Sequence, residues 1–109
     1  MMRKNKRTID AYMKAGASAR LYKEARSKFI EDVSKVLPMK DVDRLLNMMR
    51  KIDEICTKAE DNMFRDYPNL PNEYLDVFYG GLGSEPRSGV DKKTIELAKE
   101  TAQELFEKH

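Results

Sequence analysis

The most regular hydrophobic pattern in the chain runs from position 41 to position 64. Apolar residues alternate there in steps of three and four, which is the spacing of one face of an α-helix. They are Val42, Leu45, Met49, Ile52, Cys56, Ala59 and Met63, and Leu46, Met48 and Ile55 widen the stripe. Pro38 ends any earlier helix, and Asp41 is a suitable N-cap. The pattern predicts a helix over 41–64 with a broad core-facing side.

A second stripe precedes this one and predicts a helix over 18–37. Its apolar positions share one helical face or lie beside it. They are Leu21, Tyr22, Ala25, Phe29, Ile30, Val33, Val36 and Leu37. Because only a short link through Pro38 separates the two segments, we expect an antiparallel hairpin of two long helices.

A third helical segment is predicted near 8–15, where Thr8 is a suitable cap for Ile9, Tyr12 and Met13. At 100° per residue these apolar residues point about 150° away from the second stripe. One straight helix would bury one group and expose the other. We therefore expect a kink near Gly16, or a first segment that packs on another subunit. The chain is thus divided into a basic, partly helical N-terminal segment (1–17) and one helical domain (18–109).

After residue 64 the pattern changes. Pro68 and Pro71 cannot continue a helix, and Asn72 can cap a short helix over 73–79. A loop then leads to a last helix over 91–107 with Asp91 as N-cap, and its apolar face carries Ile95, Ala98, Ala102, Leu105 and Phe106. The predicted fold class is all-α, a small bundle built on the helical hairpin plus a C-terminal helix.

Composition narrows the class of protein. A chain of 109 residues with 40% hydrophobic and 37% charged residues is typical of one globular domain. A single cysteine excludes an internal disulfide, and no apolar run is long enough to span a membrane. We therefore expect a cytoplasmic protein with no membrane partner. In size and composition it resembles the short helical accessory proteins of bacterial mobile elements, without a shared motif.

The sequence contains few residues that could form a catalytic site. The single histidine, His109, is the last residue, so histidine-based triads and zinc sites are not expected, and we predict no catalytic residue, metal or cofactor. One weaker hypothesis is an all-α, Mg²⁺-dependent nucleotide hydrolase. Its candidate acids are Asp53, Glu54, Glu60, Asp61 and Asp66, but the Glu-x-x-Glu spacing of such enzymes is missing here. A solvated helix face explains these acids more simply.

Charge is distributed unevenly along the chain. Residues 1–28 hold nine Lys or Arg and two acids, whereas the remainder holds twelve bases and seventeen acids. Arg20 and Lys23 lie opposite the second apolar stripe, so we expect them to face solvent and to be free for phosphate contacts. The nucleic-acid-binding candidates are Arg3, Lys4, Lys6, Arg7, Arg20 and Lys23.

Five of the nine aromatic residues lie between positions 64 and 79. Two interpretations are open: the segment folds back as a plug over the hairpin, or it forms a docking surface. The partner-binding candidates are Tyr67, Tyr74, Phe78 and Tyr79. The leading function is a protein–protein interaction or regulatory module without catalytic activity, with a homodimer as one form. The alternative is a nucleic-acid-binding accessory protein.

Overall fold

Three α-helices and one 3₁₀ helix make up the computed structural model, which describes residues 7–83 and 85–107. They are α1 (Ile9–Val33), α2 (Met39–Asp66), the 3₁₀ helix (Asn72–Asp76) and α3 (Gly89–Glu107). The described residues contain no strand. Helix α1 packs against both α2 and α3. The predicted all-α bundle, built on a hairpin and a C-terminal helix, is confirmed.

The predicted kink near Gly16 is wrong, because α1 runs without a break from Ile9 to Val33. Gly16 has a different role. It lies where α1 crosses the segment after the 3₁₀ helix, and a Cβ at this position would come within 2.6 Å of the Val77 carbonyl oxygen. The small residues around it therefore allow close packing rather than a change of direction. The expected boundary between the N-terminal segment (1–17) and the helical domain (18–109) falls inside α1.

A continuous α1 buries one face in its first half only. All its buried residues precede Leu21, namely Tyr12, Met13, Gly16, Ala17, Ala19 and Arg20. They join Met63 of α2 and Val77 and Phe78 in the core, with Ile95 and Ala98 of α3 also buried. The core therefore lies around the first half of α1 and the second half of α2.

Several predicted helix ends shift. Helix α1 ends at Val33 rather than 37, and the 3₁₀ helix replaces the predicted α-helix over 73–79. Helix α2 starts after Pro38, which makes no side-chain cap, so Asp41 lies in the first turn instead of capping it. Two residues share the cap of α3. The Asp91 amide donates to the Ser88 hydroxyl (3.0 Å), and the Asp91 carboxylate accepts from the Arg87 amide (2.9 Å).

Residues 21–55, which we call the arm, comprise the second half of α1, the connection and the first half of α2. Only Val42 and Met49 are buried in this stretch. The molecule is elongated, with a longest dimension of 47 Å against 29 and 28 Å for the other two. The structure thus combines a packed core with a two-helix arm that has little core of its own.

Candidate functional site

The arm exposes large apolar side chains that the sequence pattern assigned to the core. Phe29 is 50% exposed, Met48 57%, Ile52 44% and Ile55 61%. The cause is the continuity of α1 from Ile9 to Val33. Its second stripe points about 150° away from the buried face of its first half, so only α2 covers it. The arm therefore presents an apolar groove between α1 and α2.

Two adjoining cavities make up this groove. The cavity nearer the α1–α2 connection has a volume of about 320 Å³, and its neighbour has about 420 Å³. Phe29, Leu45 and Met48 line both cavities and thus lie where the two meet. The remaining lining residues are Val33, Leu37, Asp41 and Arg44 in the first cavity, and Tyr22, Ala25, Arg26, Met49 and Ile52 in the second.

The register of α2 explains why the groove is open on one side. If Val42 is placed at position a of a heptad, Met49 and Met63 fall at a as well, and these three are the buried residues of the helix. Ile52 falls at d, and Met48 and Ile55 fall at g, where all three are exposed. Along the arm, helix α2 thus has α1 on its a side, whereas its side chains at 48, 52 and 55 are left exposed.

The Tyr22 hydroxyl beside this groove is buried, and no described residue forms a hydrogen bond with it. The guanidinium of Arg26 lies 5.5 Å from the centre of the Tyr22 ring and also pairs with the Asp53 carboxylate. A buried hydroxyl without a partner costs on the order of 1–3 kcal/mol. The groove therefore borders a buried polar group that lacks a hydrogen bond.

A polar cavity of about 350 Å³ adjoins the arm near Tyr79. The hydroxyls of Thr57 and Tyr79 share a hydrogen bond of 2.6 Å. The Lys23 ammonium donates to the Phe78 carbonyl at 3.1 Å and lies 4.1 Å from the centre of the Tyr79 ring. Lys23 therefore anchors the aromatic segment to α1, and its charge is engaged within the molecule.

The prediction that Arg20 faces solvent is wrong: the residue is 1% exposed. Lying opposite the second stripe places it on the buried face of the continuous α1. Its guanidinium pairs with the Asp91 carboxylate at 2.7 Å and donates to the carbonyls of Asp76, Val77 and Gly81. Arg20 therefore holds α3 and the aromatic segment on α1, and it is not accessible for phosphate contacts.

Burial and hydrogen bonding act on Asp91 in opposite directions. Burial raises the pKa of this carboxyl group, but the Arg87 amide and the Arg20 guanidinium lower it more, so the pKa lies below its ordinary value. The carboxylate is thus charged in the fold and balances the buried guanidinium.

Arg7 is paired as well. Its guanidinium makes two contacts with the Asp66 carboxylate, at 2.9 and 3.3 Å, and the Tyr12 hydroxyl donates to the same carboxylate at 2.5 Å. Burial and this contact with Asp66 raise the pKa of Tyr12 to about 12. The Tyr67 hydroxyl donates to the Arg7 carbonyl at 2.8 Å. The other candidates, Arg3, Lys4 and Lys6, lie outside the described residues, as does His109.

The aromatic segment is mainly a plug. Phe78 is 2% exposed and belongs to the core, so its side chain is not accessible to a partner in this fold. Tyr67 and Tyr74 are half-buried and pack against the core, and Tyr67 meets Tyr12 edge to face. Tyr79 is 46% exposed but engaged with Thr57 and Lys23. The exposed large apolar side chains lie mainly on the arm, with Leu105 and Phe106 exposed at the end of α3, and the 150° offset within α1 was the sequence signal for the exposure on the arm.

The candidate acids do not assemble. In the ranges 7–83 and 85–107, no three His, Cys, Asp or Glu side chains gather in a way that could hold a metal ion. Asp53 pairs with Arg26, and Asp66 pairs with Arg7. None of the helices in the described part of the chain is long and apolar enough to cross a membrane.

The chain matches no model of a known protein family, no curated protein and no solved structure.

Proposed function

We propose that this protein is a helical interaction module without catalytic activity, and that its arm binds an apolar α-helical surface of another polypeptide. The observation that carries the proposal is the apolar groove made of two cavities that share Phe29, Leu45 and Met48 as lining residues. We expect it to act in the cytoplasm, because a chain with one cysteine cannot be stabilised by internal disulfides.

The size of the apolar surface supports a macromolecular ligand. Eight large apolar side chains of the arm are between 39% and 77% exposed: Phe29, Val36, Leu37, Met39, Leu46, Met48, Ile52 and Ile55. A large side chain has on the order of 200 Å² of surface. The four that line the cavities, Phe29, Leu37, Met48 and Ile52, therefore offer on the order of 400 Å². The largest apolar patch on a monomeric protein is typically about 300–600 Å², and such patches are often functional.

The shape of the surface favours a helix as the ligand. A groove between two helices accepts a third helix through side chains spaced three and four residues apart, as in other helix-in-groove complexes. Small molecules are held in sites that surround most of their surface and orient them with a few polar groups. Here Asp41, Arg44 and Arg26 are the charged side chains among the lining residues.

Nucleic-acid binding, the alternative function, has less support among the described residues. Arg20 is buried, Arg7 is paired with Asp66, and Lys23 is bound to the aromatic segment. A phosphate would have to replace these internal partners, which lowers the gain from each contact. The alternative therefore depends on Arg3, Lys4 and Lys6.

A photo-crosslinking experiment tests the proposed function. Benzoylphenylalanine is placed at Met48 of the full chain, or at Asp43 as a matched control, in the cells that normally make the protein. Asp43 is exposed on the same helix and lies about 140° round it from Met48. We expect irradiation to give covalent polypeptide adducts from position 48 and none from position 43. No adduct from position 48 above the control would contradict the proposal.

A further inference from the structure

We infer that the helical surface bound in the groove is the arm of a second copy of this chain, so that two arms related by a two-fold axis form a four-helix bundle. This inference rests on the proposed function and names its partner. In such a bundle the exposed d and g residues of α2, which are Ile52, Met48 and Ile55, would pack against the second copy.

The first argument is self-complementarity. In a two-fold interface the same patch faces itself, so every projection must meet a depression elsewhere on that patch. Phe29 and Met48 lie where cavities of about 320 and 420 Å³ meet, and they are 50% and 57% exposed. A rotated copy can therefore insert these two side chains into one of the cavities and accept the partner's side chains into its own.

The second argument is the pattern of α2. A helix with one neighbour needs apolar residues at a and d, whereas a helix with neighbours on two sides also needs them at flanking positions. Met48 and Ile55 supply two apolar g positions in successive heptads, at 57% and 61% exposure. Residue types of this kind would suit burial on two sides, as in a four-helix bundle.

The third argument is charge. The arm carries eight Lys or Arg and seven Asp or Glu residues, so two arms do not repel each other through net charge. Arg44 and Asp41 border the cavity nearer the connection, and Arg26 and Asp53 near the other end pair with each other. Neither end of the groove thus carries a cluster of one sign, so charge does not oppose a reversed copy.

The fourth argument is area. Two grooves that each contribute on the order of 400 Å², together with the exposed Ile55 beside each of them, would bury on the order of 1,000 Å² in total. Weak, transient interfaces bury less than about 1,200 Å², and stable ones bury roughly 1,200–2,000 Å². The area therefore fits a weak, reversible dimer whose dissociation can be measured.

Sedimentation of the purified full chain at concentrations from about 1 to about 200 μM tests this inference. We expect the mass to rise with concentration from 12.7 kDa towards twice that value. In Met48→Glu the added carboxylate would be buried at the interface. The dissociation constant of the dimer should therefore rise at least about tenfold. The matched control is Asn47→Glu, which adds the same charge at the neighbouring exposed position and should stay within about twofold of the wild type.

A second measurement does not depend on the folding of a variant with an added charge. Purified chain with benzoylphenylalanine at Met48 should crosslink to itself, and the adducts should map to residues 21–55 of the second copy. A wild-type monomer throughout the concentration range would overturn the inference, and so would a dimer that Met48→Glu leaves intact or self-adducts that map outside the arm.

The two proposals fail separately. If the purified chain is a monomer but position 48 crosslinks to other polypeptides in cells, the second copy is the wrong partner and the interaction module stands. If the chain is a monomer and position 48 gives no adduct in cells, both proposals are wrong.

Discussion

At the scale of single residues, the buried ion pair between Arg20 and Asp91 organises the core. The side chain of Arg20 is 0% exposed and that of Asp91 is 6% exposed. Arg20 also donates to carbonyls at 76, 77 and 81, so one guanidinium connects α1, α3 and the segment that carries Phe78. Buried charges of this kind are tolerated only when every one of them is paired.

Arg20→Ala should therefore destabilise the fold strongly. It leaves the Asp91 carboxylate buried without its cation and removes the donor for several carbonyl groups, which together cost about 3–5 kcal/mol of unfolding free energy. Urea denaturation followed by circular dichroism measures the change. Lys28→Ala is the control, because its ion pair with Asp32 is exposed and contributes at most about 0.5 kcal/mol. A similar loss in both variants would contradict the role assigned to Arg20.

Asp91 also predicts how stability depends on pH. Its pKa in the fold is below the ordinary value of about 3.9, so the unfolded chain binds a proton at higher pH than the folded chain does. The stabilisation is complete above pH ~4 and is lost as the pH falls through the folded pKa. Unfolding free energies from pH 7 to pH 2 should fall more steeply below pH ~4 for the wild type than for Asp91→Asn. If the unfolding free energies of the two proteins depended equally on pH, protonation of Asp91 would not be the cause of the pH dependence.

At the scale of secondary structure elements, the two halves of the continuous helix α1 have different roles. Its first half buries one face against α3 and the aromatic plug, and its second half carries an apolar stripe on nearly the opposite face. The continuity of α1 thus leaves the groove exposed, and Gly16 allows the close crossing with the segment at Val77.

Gly16→Ala should destabilise the protein although alanine favours helix. The new Cβ would lie 2.6 Å from the Val77 carbonyl oxygen, and the resulting shift should cost about 1–3 kcal/mol, more than the gain of about 1 kcal/mol in helix propensity. Gly89→Ala in α3 is the matched control, since a Cβ there meets nothing within 4 Å and should be neutral or stabilising. Thermal unfolding compares the two. A stabilised Gly16→Ala would mean that α1 does not pack this closely.

At the scale of the whole molecule, the distribution of burial is uneven. The core is concentrated around the first half of α1, while the arm contributes only Val42 and Met49 to it. A chain of this length buries only about two-thirds of its unfolded surface, so covering the arm would add stability that the single copy does not have. The proposed dimer would therefore link folding stability to protein concentration, and the sedimentation experiment tests its premise.

The local pattern of the chain determined the helices. Apolar spacing predicted α2, α3 and two segments that the structure joins into α1, and the prolines at 68 and 71 ended α2, because periodicity and backbone chemistry act within a few residues. The same pattern showed that the two halves of α1 have apolar faces about 150° apart.

Tertiary structure alone decided which of these faces is buried. Arg20 lies opposite the apolar stripe of the second half of α1 and on the same side as the apolar residues of the first half. That side is buried only because α3 and the segment from Asp76 to Gly81 pack against it. Phe78 and Tyr79 are adjacent in sequence, yet one is buried and the other is half exposed, for the same reason. Periodicity tells which side chains lie together on a helix, whereas burial depends on what distant parts of the chain bring against that side.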